Sequence, residues 1–141
     1  VLSPVELESR FEVYAEQYIL AIEVEVRLAL RIARTVIYPA VSAYLGELAG
    51  SLQEQEAIGL QPSKAIAQQI AGLNQQLVDR ANALETALGS APHGADVHMR
   101  HCADQLMPLM GELRAAADAL EALVDDAAWP LPTYQEMLFV R

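Results

Sequence analysis

From Met99 onward, apolar residues return at unbroken four-and-three steps: Met99, Cys102, Leu106, Leu109, Leu113, Ala116, Leu120, Leu123 and Ala127. That spacing places them along one side of a helix predicted over about 95–127. Ile66, Ile70, Leu73, Leu77 and Leu84 form a similar seam. They predict a second helix over about 63–88, started by Ser63 after the break at Gly59-Leu60-Gln61-Pro62. The first helix is announced by Ser3 at the cap, Pro4 behind it and Glu6 at the third position, with Leu2 and Leu7 spaced for a hydrophobic staple. No glycine follows until Gly46. Helix 1 is therefore predicted over about 3–57, a rod of about 80 Å, bent by Pro39 near Thr35, whose carbonyl loses its donor. Pro108 predicts a kink, and not a break, in the third helix. No strand signal competes. Three long helices joined by short loops imply an all-α, up-down-up bundle packed at shallow angles.

Helix 1 departs from a simple amphipathic stripe. Between Ile19 and Val41, the residues Ile19, Leu20, Ile22, Val24, Val26, Leu28, Leu30, Ile32, Val36, Ile37 and Val41 fall on nearly every face. A helix that is apolar all round is normally buried all round, and two partner helices cannot enclose it. The surplus predicts contact with another domain or another subunit.

The chain's last stretch, 129–141, differs from the Ala-, Leu-, Glu- and Gln-rich remainder. Pro130 and Pro132 restrict the backbone and remove two donors. Thr133 and Glu136 then give a T-x-x-E start for a short C-terminal helix carrying Tyr134, Met137, Leu138 and Phe139. With Trp129, these residues hold too much apolar surface to leave in water at about 25 cal/mol per Å². They predict a docking element.

A length of 141 residues suits one domain, and 53% hydrophobic content supplies a core. The formal charge of −10 argues against nucleic acid and anionic membranes as partners. The apolar run from Tyr18 to Leu45 carries Glu23, Glu25, Arg27, Arg31 and Arg34, which speaks against a membrane span. A single cysteine, Cys102, cannot form an internal disulfide, and no signal peptide pattern is expected at the start. A reducing cytoplasm is the plain expectation.

Candidate chemistry is sparse. His93, His98, His101 and Cys102 form the one metal-like group, with His98 and Cys102 a helical turn apart. Zinc needs three or four converging ligands, and Cys102 lies on the helix 3 seam. A buried thiol beside exposed histidines is the plainer reading, with His98, His101 and Cys102 as weak metal candidates. No Glu-x-x-His pair of a carboxylate di-iron bundle occurs. Glu12, Glu16, Glu23 and Glu25 read best as surface charges, because Glu23 precedes Arg27 by one helical turn and Arg27 precedes Arg31 by another. Arg27, Arg31 and Arg34 make a small basic stripe suited to an acidic neighbouring surface. No phosphate loop, Gly-x-Ser-x-Gly or Ser/His/Asp arrangement appears. No catalytic or cofactor-binding residue is expected in this chain.

Two segments resemble one family. The first runs from Glu6-Leu7-Glu8-Ser9-Arg10-Phe11-Glu12-Val13-Tyr14-Ala15-Glu16-Gln17-Tyr18 through Ile22-Glu23-Val24-Glu25 to Ile37-Tyr38-Pro39-Ala40-Val41. The second is Trp-Pro-Leu-Pro-Thr-Tyr-Gln-Glu-Met-Leu-Phe in the tail. Together they resemble the C-terminal helical region of type III glutamine synthetase, the bacterial long-chain form. The resemblance implies a parent enzyme that joins ammonia to glutamate through a γ-glutamyl phosphate, using ATP and magnesium in upstream domains, as a cytoplasmic ring-based oligomer. It implies for this chain a structural or oligomerising role, with the parent's catalytic domain and neighbouring subunits as partners. A stand-alone helical interaction module or small regulator is the alternative.

Overall fold

The computed structural model describes residues 3–132. All regular structure among them is helical, gathered into three rods. The first comprises α1 (Pro4–Ile32), a π-helical turn (Ala33–Ile37) and α2 (Tyr38–Ala57). The second is α3 (Ala65–Gly89). The third comprises α4 (Ala95–His101), a second π-turn (Cys102–Leu106) and α5 (Met107–Glu121).

The ends of the first rod follow local chemistry. Ser3 and Glu6 close a reciprocal capping box: the Glu6 carboxylate accepts the Ser3 N–H at 2.7 Å, and the Ser3 hydroxyl accepts the Glu6 N–H at 3.3 Å. Two of the orphan donors of the first turn are thereby satisfied. At the other end Gly59 takes φ 87°, which L side chains rarely adopt. Its N–H donates to Glu56 O, and the Leu60 N–H donates to Gln55 O, both at 3.0 Å. This paired geometry is a Schellman stop.

Each internal proline follows a π-turn. The Tyr38 N–H reaches back five residues to Ala33 O ahead of Pro39, and the Met107 N–H does the same to Cys102 O ahead of Pro108. The simple kinks expected at Pro39 and Pro108 are thus wider turns that absorb one extra residue. In rod 1 the extra residue also corrects phase. Ile22, Val26, Leu30, Ala33, Ile37 and Val41 are all buried. An uninterrupted α-helix turning about 100° per residue would leave Val41 about 100° off the line of Ile22. The π-turn removes about that error and keeps both on one face.

The core joins this line to Ile70, Leu77, Ala81 and Leu84 of α3, and to Cys102, Leu106, Leu113, Ala116, Leu120, Val124 and Trp129 of the third rod and its continuation. Rod contacts follow: α3 packs most heavily on α5, α2 packs on α3, and α1 packs on α4. Ion pairs and hydrogen bonds mark the registers. Arg34 meets Glu85, Asn74 meets Ser42, and Arg80 meets Glu112.

Several expectations need correction. The third rod ends at Glu121, short of 127, and residues 122–128 form turns. There Asp125 organises the chain: its side chain accepts the Ala127 N–H, and its carbonyl accepts those of Ala128 and Trp129. Ala127, expected on the seam, is therefore exposed beyond the helix. Ser63 does not cap α3 from the cap position, which is Lys64; its hydroxyl accepts the Ala65 N–H at 3.4 Å. Ile66, expected on the second seam, is exposed in the first turn of α3, before that helix reaches the core. Trp129, expected in a docking tail, is buried in the core. The expected short C-terminal helix, and Leu2 of the staple, lie outside the described residues.

Leu113 is buried at the centre of α5, and its replacement by alanine should cost about 2–5 kcal/mol. Trp129→Ala should cost a similar amount, about 3–5 kcal/mol, because the indole belongs to the same core. Urea denaturation of the two variants tests this. A loss below about 1 kcal/mol for Trp129→Ala would return that residue to the surface.

Candidate interaction site

The expected basic stripe is divided between separate tasks. Arg27 pairs within its own helix with Glu23 at 2.7 Å. Arg34 leaves its rod to clamp α3: its two terminal nitrogens donate to the two Glu85 carboxylate oxygens, each at 2.7 Å, and one donates also to Asn82 Oδ1 at 2.9 Å. Such a fork fixes both distance and angle, which lysine cannot reproduce. Arg31 is exposed and makes no ion pair among the described residues. Of the three arginines, Arg34 serves the contact between the first and second rods.

The histidine and cysteine group is also dispersed. His98 Nε2 lies 3.1 Å from Glu23 Oε1, close enough for an ion pair when protonated but not aligned as a hydrogen bond. His101 Nε2 is 2.8 Å from Ala87 O, tying α4 to the end of α3. Cys102 is fully buried, and burial, reinforced by the negative charge of Glu23, pushes its thiol pKa up. A raised pKa lowers the thiolate fraction on which metal binding and nucleophilic attack depend. No metal-holding group of three or more His, Cys, Asp or Glu occurs among the described residues.

Apolar exposure is the more informative feature. Every residue from Ser3 to Tyr14 is exposed. About three turns of α1 therefore project beyond the packed core. Leu7, Phe11 and Tyr14 lie on this projection at four-and-three steps and lead through Tyr18 into buried Ile22. The core face of rod 1 thus continues past its partners. Periodicity carries this signal in the sequence, N-terminal to the overfilled stretch between Ile19 and Val41. A different line, Val13, Leu20, Val24 and Leu28, is exposed on the outer side of α1. Among the described residues nothing buries that stretch on every face, and Leu20, Val24 and Leu28 are its exposed surplus.

Between the first and third rods lies an open groove of about 620 Å³, lined by Ala29, Ile32, Met110 and Ala117, with Trp129 and Leu131 at one side. Trp129 Nε1 is buried without a hydrogen-bond partner among the described residues. Tyr134, Met137, Leu138 and Phe139, expected as docking residues, lie outside the described residues.

The model of the glutamine synthetase C-terminal domain matches residues 1–56, which hold the projection, the outer line and the first π-turn. A type-3 glutamine synthetase from Dictyostelium discoideum is 32% identical over an alignment that covers the whole chain and 20% of that relative. The chain is similar to the glutamine synthetase C-terminal domain family. A glutamine synthetase from Bacteroides fragilis (strain YCH46) is 24% identical, again across the whole chain and 21% of the relative. The chain spans about a fifth of the length of these relatives. No solved structure matches it. The surfaces that stand out in this chain are apolar lines on one helix, with no cluster of metal-holding groups among the described residues. No helix among the described residues is long and apolar enough to cross a membrane.

The Arg34 clamp has a pH signature. The hydrogen bonds from Arg34 hold the Glu85 carboxyl below its ordinary range. A carboxylate with a depressed folded pKa adds stability above its unfolded value, about 4.3, and loses it as pH falls through the folded value. Urea denaturation should therefore separate wild type from Arg34→Ala near neutral pH and bring them together in acid, with the gap closing below about pH 4. An equal gap at all pH values would show that Arg34 acts by packing alone.

Proposed function

We propose that this chain is the structural C-terminal segment of a longer glutamine synthetase, attached to its parent through the projecting first turns of α1. Leu7, Phe11 and Tyr14 carry this reading, because they extend the line of the bundle's own core onto a surface that no described residue covers. Burial of that line against a second body gains about 25 cal/mol per Å² of apolar area. The parent would perform the family's reaction, ATP- and magnesium-dependent ligation of ammonia to glutamate through a γ-glutamyl phosphate, with the nucleotide and metal held by upstream domains. This segment would supply no catalytic residue. Its partners would be the parent's catalytic domain and neighbouring subunits of a cytoplasmic oligomer.

The three rods form an up-down-up bundle in this reading. Pairing of Arg34 with Glu85 and of Ser42 with Asn74 supports opposite directions for rods 1 and 2. Pairing of Arg80 with Glu112 and of Ala87 with His101 supports the same for rods 2 and 3. Such a bundle presents the projection as an extension of a stiff rod, which holds an attachment better than a loop does.

The 141-residue chain alone should make no glutamine from glutamate, ammonia and ATP; detectable synthesis would overturn the reading. In the longer parent, Phe11→Asp combined with Tyr14→Asp should leave the circular dichroism of this segment unchanged but speed its proteolytic release from the body. Unchanged release would move the attachment elsewhere. A reading frame opening near Val1 would instead favour an independent helical interaction module.

A further inference from the structure

The outer line of α1 has a charge pattern that is complementary to itself. At about 100° per residue, Val13, Leu20, Val24 and Leu28 fall within about 80° of one another, away from the face of Ile22, Val26 and Leu30. They are 50%, 62%, 54% and 54% exposed. Gln17 and Arg31 complete the line at intervals of three and four, the spacing of a helix-pairing seam. Glu16 and Arg27 lie on one edge of it, almost symmetrically about its midpoint between Leu20 and Val24.

We infer that this face pairs with the same face of a second copy, the two α1 helices running antiparallel. In that arrangement Leu20 of each copy meets Val24 of the other, and Gln17 meets Leu28. Glu16 of each copy comes to the height and edge of the other's Arg27, so the ionic contact forms twice, as two-fold symmetry requires. Parallel two-fold pairing sets this edge of the two helices on opposite sides of the seam, so that Glu16 and Arg27 do not meet and the ionic contacts are lost. Arg27 already holds Glu23 through one terminal nitrogen at 2.7 Å, and its remaining side-chain donors have no partner among the described residues, so they can take a second carboxylate. Arg31 ends opposite Val13, where its aliphatic stem covers the valine while the guanidinium stays in water. The face is distinct from Leu7, Phe11 and Tyr14, so attachment to a parent body and pairing of copies can hold or fail separately.

Charge exchange tests the pairing. Sedimentation equilibrium of the 141-residue chain should show a monomer–dimer equilibrium. Arg27→Glu alone and Glu16→Arg alone should each raise the dimer Kd about tenfold or more, about the effect of losing two interfacial ion pairs. A mixture of those two variants should recover affinity, because every pairing in the mixed dimer again joins unlike charges. Leu20→Gln, at an exposed position, should dissociate the dimer with unchanged helix content by circular dichroism. A chain that is monomeric at about 100 µM would overturn the proposal, since apolar docking at this strength belongs to the micromolar range. So would a dimer that ignores the exchanges, a mixture that fails to recover, or a dimer broken by Phe11→Asp and not by Leu20→Gln. In the last case the projecting turns are the self-contact. If the chain alone is monomeric and this face is protected only in a longer parent, the parent's body is its occupant.

Discussion

The first rod must keep a single apolar line facing its partners over 19 intervals from Ile22 to Val41, although a proline interrupts the hydrogen-bond ladder within that span. A straight α-helix fails on two counts. It would set the ring of Pro39 against the Thr35 carbonyl, and it would rotate Val41 away from Ile22 by about 100°. The π-turn at Ala33–Ile37 resolves both, since the widened turn relieves the carbonyl and takes up the one residue by which the pattern overruns. The rod that carries this line packs on α3 through the π-turn and α2, and on the third rod chiefly through α1. The second and third rods therefore share a wall whose straightness depends on that one turn. In the third rod a π-turn likewise precedes Pro108.

Much of this was legible from residues whose effects are local. Ser3, Pro4 and Glu6 specify the helix start because the cap is closed by side chains three positions apart, and the structure forms both of its hydrogen bonds. Gly59 marks the end of rod 1 through its own φ. Along the third seam Leu106, Leu113, Ala116 and Leu120 are buried and Leu109 is partly buried, because their period matches α5, which carries most of them. The π-turns were not legible, since phase error becomes an energy only once both ends of the rod have partners. Trp129 was read with the prolines and aromatics that follow it. Its burial depends on the turn held by Asp125, which brings the chain back over the core after α5 stops.

The charged and polar groups show the same division. Spacing alone predicts the Glu23–Arg27 pair, because partners one turn apart need no tertiary information. Spacing gives no hint that Arg34 reaches α3, or that Asn74 is buried with its amide donating to Ser42 Oγ at 3.2 Å. Those contacts require two rods in register. Asn74 has one further oxygen without a partner among the described residues, and a buried polar pair between two otherwise apolar rods penalises slippage of one along the other more than it adds to stability. Arg34 acts similarly at a more exposed position, where the bidentate geometry specifies a height and a direction. Together the two contacts set where α3 stops against rod 1, a matter that interchangeable aliphatic side chains leave loosely determined.

Rod 1 is consequently overdetermined on one side and, among the described residues, uncovered on two others. Its inner face is held in phase by a π-turn and in register by Arg34 and Asn74, so the rod is stiff where it meets the bundle. Stiffness there is inherited by the projecting turns, because a helix transmits orientation along its axis for as long as its backbone ladder is intact. Exposed apolar residues on a flexible segment would cost order to bind anything. On this rod Leu7, Phe11 and Tyr14, and separately Val13, Leu20, Val24 and Leu28, are held at fixed heights and angles before any partner arrives. The same inner packing that builds a small core therefore prepares two outer surfaces, and it does so without any reactive group. A segment made this way is suited to holding other parts in place.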